Sequence, residues 1–187
     1  MTILPCVGTM QAEYMGKEAE TMRFTYCPDC GTQLIPRPIG DEGLVPYCDN
    51  CKKPLFDMFA TCIIVMVVNE FEEVALLNQG YLSSQYRVLV SGFMKPGESA
   101  EECTRREVLE ELGIQLEELK IVGTDWFARR DQLMIGFLGR AKKQPFRLSG
   151  EVDSAQWIPV EQAPALMHPG KSISTELVRR YLKERNA

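Results

Sequence analysis

No stretch of this chain approaches the roughly 18 apolar residues that a membrane-spanning helix needs, so a role inside a bilayer is not expected. The amino terminus carries no basic run, and its short apolar stretch from Ile3 to Val7 is broken by Pro5, so a secretory signal is not expected either. Positive charge is in short supply. Lys and Arg number 21 against 26 Asp and Glu, for a formal net charge of −5, which argues against non-specific attraction to nucleic acid. An anionic substrate would therefore need a metal and locally placed Arg or Lys. His168 is the single histidine. It stands in Met167-His168-Pro169-Gly170, a loop-like setting that suits a surface or dimer-contact residue better than a ligand or base. Internal repeats and low-complexity tracts are absent. What is present, 45% hydrophobic and 25% charged residues over 187 positions, describes one globular domain of ordinary size plus a small module.

Cysteine is the first positive signal. Seven cysteines without a secretory segment fit a reducing, cytoplasmic setting better than a disulfide scaffold. Four of them form Cys27-Pro-Asp-Cys30 and Cys48-Asp-Asn-Cys51, with 17 residues between the pairs. That spacing is typical of a four-thiolate zinc site. Four thiolates leave no open position on the ion, so such a site is structural. The segment between the pairs, with Pro36, Pro38, Gly40, Gly43 and Pro46, cannot build a core of its own, and bound Zn²⁺ would supply the folding free energy. Disulfides, a redox pair and an iron–sulfur site are the competing readings; no βαβ context surrounds either pair, which argues against thioredoxin-like chemistry. Cys62, in an apolar run, and Cys103, in a helical stretch, read as packing residues. Cys6 lies in a segment with no readable pattern.

The second signal is acidic. Between Gly92 and Ile114 the chain reads GFMKPGESAEECTRREVLEELGI. Ser99 with Glu102 forms a capping box, so a helix is expected to start there, and Gly113 suits its C′ end. Glu107 and Glu111 share a face of that helix, with Glu110 beside them. Ala100, Val108 and Leu112 can turn to the core. Gly92 and Gly97 give the preceding loop freedom to fold back, and Arg106 can hold a carboxylate by a bidentate contact. Three carboxylates on about one turn repel one another, which makes sense beside a hard divalent cation that binds carboxylates together with substrate phosphates. A solvated acidic face is the bland alternative. The pattern suggests metal-assisted attack on a phosphate ester or anhydride.

Gly92, Glu98, Arg106-Glu107, Val108, Glu110-Glu111, Gly113 and Ile114 stand at every defining position of the Nudix box, which this segment resembles. The resemblance implies an α/β fold, an α/β/α sandwich with a mixed sheet, and hydrolysis of a nucleoside diphosphate linked to another moiety with Mg²⁺ or Mn²⁺. It implies that Glu107 and Glu111 bind metal, that Glu110 binds metal or serves as base, that Arg106 orients and that Glu98 supports. It also offers the backbone carbonyl of Ser91 as a metal ligand. A zinc ribbon directly before such a domain is similar to the NADH pyrophosphatase subfamily. In that likeness Glu151 stands for a further metal ligand, with an exposed turn residue as the alternative. Ser172-Ile173-Ser174 resembles the segment opening the last helix, where Ser172 or Ser174 could equally be a plain cap. The subfamily's Ser-Gln-Pro-Trp-Pro-Phe-Pro is replaced here by Thr124-Asp125-Trp126-Phe127-Ala128-Arg129-Arg130, and its Tyr-Pro-Arg by Phe56-Asp57-Met58. Trp126 and Phe127 either stack a base or fill a strand-end core, and Arg129 or Arg130 either holds phosphate or is solvated.

The expected organisation is an N-terminal segment 1–22 without a clear period (Met22 being a candidate initiator), a zinc-ribbon module over 23–55, and a Nudix domain over 56–187. Within the last, strands are expected at Ala60–Val68, Val74–Asn78, near Lys120–Trp126 and Gln132–Arg140, and near Asp153–Ile158, with Arg87–Val90 leading into the Nudix loop, and helices at Glu161–Met167 and Ser174–Arg185. The expected substrate is a dinucleotide such as NADH or NAD, cleaved at its pyrophosphate to release a mononucleotide. The alternatives are ADP-ribose or another nucleotide sugar, NAD-capped RNA, and a catalytically silent regulatory module. Arg37 is the sole basic residue between Cys30 and Cys48, which leaves the ribbon a weak basic footprint for RNA. The resemblance also implies a homodimer.

Overall fold

The computed structural model describes residues 24–81, 83–170 and 172–185. Cys6, Met22 and the rest of segment 1–22 lie outside the described residues. The chain divides after Met58 into two compact units.

In the first unit, β1 (Ile35–Pro38), β2 (Leu44–Cys48) and β3 (Lys53–Pro54) form a three-stranded antiparallel sheet in the order β1-β2-β3. Its buried apolar cluster consists of Cys27, Leu34, Cys48 and Leu55. A core this small cannot offset the entropy of ordering the chain around it. Two of its four members are cysteines, so packing and any ion bound to sulfur are parts of one stabilising unit.

The second unit is built on β4 (Ala60–Val68). This strand is apolar at nearly every position because both of its faces are covered. Ile63, Val65 and Val67 point into one cluster with Val108, Leu112 and Ile114, and Ile64, Met66 and Val68 point into another with Leu177 and Val178. Each such side chain is worth about 1.5–3 kcal/mol when fully buried. The first cluster lies under α1 (Ala100–Leu112), the second under α3 (Ile173–Arg185). Around β4 are arranged β5 (Glu73–Asn78), β6 (Val90–Phe93), β7 (Glu118–Phe127), β8 (Gln132–Arg140) and β9 (Ser154–Pro159), in the order β7-β8-β4-β5-β9 with β6 also on β4. β4 and β8 run parallel and the other pairs antiparallel. This is the mixed sheet between helices that the sequence led us to expect. No helix among the described residues is long and apolar enough to cross a membrane.

Two elements differ from expectation. The segment Arg87–Val90, expected to lead into the loop before the helix, ends in a strand instead: β6 pairs with β4 from Val65↔Val90 through Cys62↔Phe93. Its first residues have other partners: Val88 bridges Leu77 and Arg87 bridges Met167. The helix expected at Glu161–Met167 shrinks to α2 (Ala163–Leu166), with Pro164 in its first turn. Met167 leaves it in an extended conformation, with φ −99° and ψ 169°, as part of the same bridge to Arg87.

The caps of α1 are those the sequence calls for. Ser99 accepts from the Glu102 N–H and the Glu102 carboxylate accepts from the Ser99 N–H. Gly113 takes the left-handed conformation, φ 69°, and donates its N–H to Leu109 O at 3.0 Å. Gly113 has a second reason to be glycine. A Cβ there would come within 2.7 Å of Arg147 Cβ, where the following loop crosses the helix end and Arg147 N–H donates to Leu112 O at 2.9 Å. Gly113→Ala therefore combines left-handed strain, of order 1–3 kcal/mol, with a steric conflict. Urea unfolding should show a loss above about 1 kcal/mol; unchanged stability would contradict both roles.

Candidate active site

One guanidinium on α1 gathers two acidic residues of the helix and one from the loop before it. Arg106 holds Glu98 in a bidentate grip, Nε to Oε2 at 3.0 Å and Nη2 to Oε1 at 2.7 Å. Its Nη1 donates to Glu107 Oε1 at 2.6 Å and to Glu110 Oε2 at 3.1 Å, and Nη2 also reaches the Phe93 carbonyl at 3.2 Å. Arg106, Glu98 and Glu107 keep only 20%, 15% and 14% of their side-chain surface exposed, and Glu110 keeps 53%. Glu98 accepts in addition from the Lys95 N–H at 2.5 Å. The Arg106 contact, and then this backbone bond, hold its carboxyl down at about 2.

Gly92 does not act by backbone freedom, as the sequence reading had it. It lies inside β6, and a Cβ on it would stand 2.1 Å from Glu107 Cδ. Its missing side chain is the space that Glu107 occupies. Gly97, with φ 92°, does supply the conformational freedom expected of it. Ser91 sits beside Gly92 in β6, opposite Ile64.

Glu111 is the buried member, 4% exposed, and its Oε2 has no hydrogen-bond partner. Burial pushes its carboxyl up to about 7, the Glu107 charge adds to this, the Gln79 amide opposes it, and Glu151 and Glu110 raise it further. Glu151 arrives by way of the backbone. The 147–151 loop is tied to the end of α1 by Arg147 N–H to Leu112 O and by Ser149 N–H to Glu111 O at 3.4 Å. The Glu151 N–H donates to Ser149 Oγ at 3.3 Å. Three segments thus converge: the helix, this loop, and the turn after β5. That turn carries Gln79 and Tyr81, which the sequence reading missed. Tyr81 is 68% exposed. Its hydroxyl is pushed up, first by partial burial and then by the charges of Glu111, Glu151 and Glu107. No motif marks either residue; only the register Asn78↔Ser154 of β5 and β9 brings their turn to the loop.

The remaining candidates lie elsewhere. Trp126 is 51% exposed and meets Phe59 edge to face, ring centroids 5.3 Å apart, so it is not a core tryptophan. Phe127 packs against the cluster under α3. Arg129 and Arg130 lie, exposed, in the β7–β8 turn. Ser172 Oγ accepts from the Thr175 N–H at 3.2 Å, as a cap at the start of α3 does. His168 Nδ1 accepts from the Gly170 N–H at 3.0 Å, and the ring stands edge-on to Tyr86, a loop-shaping role. Cys62 and Cys103 are buried, as expected of packing residues.

In the other unit, the Sγ atoms of Cys27, Cys30, Cys48 and Cys51 all lie within 4.8 Å of one another, the one such set among the described residues. Cys27 to Cys51 is 3.9 Å and Cys30 to Cys48 is 3.5 Å. Both are far beyond a disulfide bond of about 2.05 Å. Four sulfurs held about 2.3 Å from one ion would stand roughly 3.8 Å apart, so the donor set fits a tetrahedral Zn²⁺. Hydrogen bonding to Thr32 holds the Cys30 thiol down at about 5, and the bond with Cys30 pushes Cys51 up to about 12. The carboxylates are spaced more widely than the sulfurs. That suits a hard cation that keeps water and substrate oxygens in its shell, and the buried Glu111 carboxylate, raised in proton affinity among like charges, is the group such a cation would compensate.

Comparison with known proteins agrees with this geometry. A NUDIX domain model matches residues 58–181. The chain is similar to the NAD-capped RNA hydrolase NudC of Pseudomonas syringae pv. tomato, 29% identical over 162 residues, which are 86% of this chain and 56% of that protein. The NAD-capped RNA hydrolase NudC of Pseudomonas entomophila is 31% identical over 179 residues, 93% of this chain and 61% of that protein. The chain thus spans a little over half the length of the curated relatives it matches. Among solved structures, a NUDIX hydrolase from Nitrosomonas europaea superposes with a TM-score of 0.67 at 19% identity, covering 87% of this chain and 93% of that one, which speaks to the fold.

The raised proton affinity of Glu111 carries a stability signature. Its folded-state value, about 7, lies above the ordinary glutamate value of 4.5, so ionising it works against folding. Without added Mg²⁺ or Mn²⁺, the native protein should lose stability relative to Glu111→Gln as pH rises through 4.5 to 7, and level off above. Added Mg²⁺ should restore more at the alkaline end. Urea unfolding of both proteins at several pH values checks this; parallel curves would remove Glu111 from the buried cluster.

Proposed function

Because the chain belongs to the Nudix family, we propose that it is a metal-dependent hydrolase cleaving the pyrophosphate bond of a nucleoside diphosphate derivative, with a dinucleotide such as NADH or NAD as the leading substrate. The observation that carries this reading is the buried Glu111 carboxylate, 4% exposed, beside a guanidinium-braced row of carboxylates. Glu107, Glu111 and Glu151, with the Ser91 carbonyl, would hold Mg²⁺ or Mn²⁺. Such a cation supplies charge neutralisation on the anhydride oxygens and a lowered pKa for water.

The rest is the work of this chain's own residues. Arg106 and Glu98 fix the carboxylates, so the site is ordered before substrate arrives. Glu110 is the exposed carboxylate of the row and orients the attacking water and takes its proton. The water oxygen bonds to one phosphorus, the bridging P–O bond breaks, and the second phosphate leaves with the bridging oxygen. Two phosphate-terminated halves result. Trp126, with its half-exposed ring, offers a face for base stacking, and Phe127 and Arg129 belong to the same strand end and turn. The four cysteines would hold one structural Zn²⁺ (a site that suits the reducing cytoplasm), and residues 23–55 and 56–187 would serve as ribbon and catalytic domain.

NAD-capped RNA is the second reading, favoured by the names of the curated relatives. The ribbon gives it little support. Arg37 is paired with Asp49 at 2.8 Å and lies over the Tyr47 ring at 4.0 Å, so the basic residue between the cysteine pairs is already engaged.

Incubation with NADH, NAD⁺, ADP-ribose, diadenosine polyphosphates and capped RNA in Mg²⁺ or Mn²⁺, with products identified, tests the assignment. Release of a mononucleotide from NADH or NAD⁺ is expected, and Glu111→Gln should lower turnover by orders of magnitude while the fold persists. Full activity in that variant would end the mechanism as drawn.

Elemental analysis should find about one zinc per chain, as a single four-thiolate site requires. Cys27→Ser should lower zinc content and melting temperature. A fully stable protein with no metal on these thiols would remove the zinc assignment.

A further inference from the structure

Two buried side-chain atoms lack a hydrogen-bond partner among the described residues, and they are Gln79 Nε2 and Glu111 Oε2. Leaving a buried polar group unpaired costs about 1–3 kcal/mol, and native structures rarely tolerate it. Their residues meet at one loop: Ser149 N–H donates to Glu111 O at 3.4 Å, and Asp153, four positions on, is bonded to the residues on either side of Gln79. Gln79 is 2% exposed and follows directly on β5. It is held there from both sides: Asp153 N–H donates to Asn78 O at 2.9 Å, and Gly80 N–H donates to Asp153 Oδ2 at 2.6 Å. Its own carbonyl accepts from the Ser83 N–H at 3.0 Å. The backbone leaves this side chain little freedom to seek a partner elsewhere.

We infer that Gln79 is a positioning residue for Glu111, its Nε2 donating to Oε2 of the ionised carboxylate so that this oxygen is pinned inward and the other is left for the cation. One bond satisfies the two orphaned atoms together. It also explains why a long polar side chain is buried directly before the exposed Gly80 and Tyr81. The downward influence of the Gln79 amide on the proton affinity of Glu111 agrees with it. Partners of this kind, behind a metal-binding carboxylate, change metal affinity by about 10- to 100-fold. The inference rests on reading Glu111 as a metal ligand, but not on which substrate is cleaved.

The test is Mn²⁺ binding to the full chain, read by the electron paramagnetic resonance of free Mn²⁺, so that it stands apart from turnover. Gln79→Met keeps the length of the side chain and removes the donor. Its Kd for Mn²⁺ should rise about tenfold or more, while the metal-free melting temperature holds or increases, because an unpaired buried amide has been replaced by an apolar group. An unchanged Kd overturns the inference alone. A fall in melting temperature that accounts for the lost affinity marks a packing role and also overturns it. If the native protein shows no Mn²⁺ binding that Glu111→Gln abolishes, the metal-site reading itself fails and the inference with it. A second measurement needs no variant. On Mg²⁺ addition, one side-chain amide proton of Gln79 in the ¹⁵N spectrum of the native protein should shift and exchange more slowly with water. An unmoved signal at saturating Mg²⁺ overturns the proposal.

Discussion

Crowded carboxylates repel each other, and in this fold a single guanidinium holds three of them in place, Glu98 in the loop before α1 and Glu107 and Glu110 on the helix itself. Arg106 has planar donors pointing in several directions at once. It uses one edge on Glu98 and the opposite nitrogen on Glu107 and Glu110. A lysine, with one compact charged group, could not grip Glu98 bidentately and still reach the other two. Exposed ion pairs contribute little, but Arg106, Glu98 and Glu107 are mostly buried, so each contact is hard to give up without leaving an uncompensated charge inside. The guanidinium also donates to the Phe93 carbonyl, which ties the helix to β6. The position of α1 on the sheet and the arrangement of its acidic side chains are therefore set by the same group.

Two glycines make that arrangement possible by what they lack. Gly92 leaves the volume that Glu107 fills, and Gly113 lets the 147–151 loop pass over the helix end. The loop then ties Ser149 to the last turn of the helix and sets Glu151 beside Glu111. A site assembled this way draws on the helix, a coil segment some 40 positions later and the turn after β5, each fixed to the next by main-chain hydrogen bonds.

The two candidate ion sites follow opposite designs. The thiolates are gathered within 4.8 Å, close enough to enclose an ion completely, and they supply half of the buried apolar cluster of their unit. The carboxylates stand further apart and keep one exposed member, Glu110. A closed site stabilises; an open one leaves room for water and phosphate oxygens. The difference lies in ligand chemistry, since soft thiolates displace all water from zinc whereas Mg²⁺ retains part of its shell.

Much of this was legible in the chain itself. The span of α1, both of its caps, the buried strand β4 and the cysteine tetrad follow from local spacing, because helix period, capping and CxxC turns are short-range properties. The carboxylates of the box could be named for the same reason. Other features are not local. The sequence suggested that Gly92 serves backbone freedom, whereas its role is space, and space is defined by a helix that packs on it from later in the chain. The pairing of β6 on β4 and the bridge from Arg87 to Met167, just past the short α2, are contacts between distant segments. Gln79 and Tyr81 belong to no motif, and the pairing of β5 with β9 delivers them to the acidic cluster. The sequence alone thus determined which carboxylates and thiols are the candidates for metal binding and where most of the regular elements run. Only the tertiary structure decided which of those carboxylates is buried, which stays exposed, and which uncharged neighbours stand against them, because burial and proximity are products of how separate segments pack.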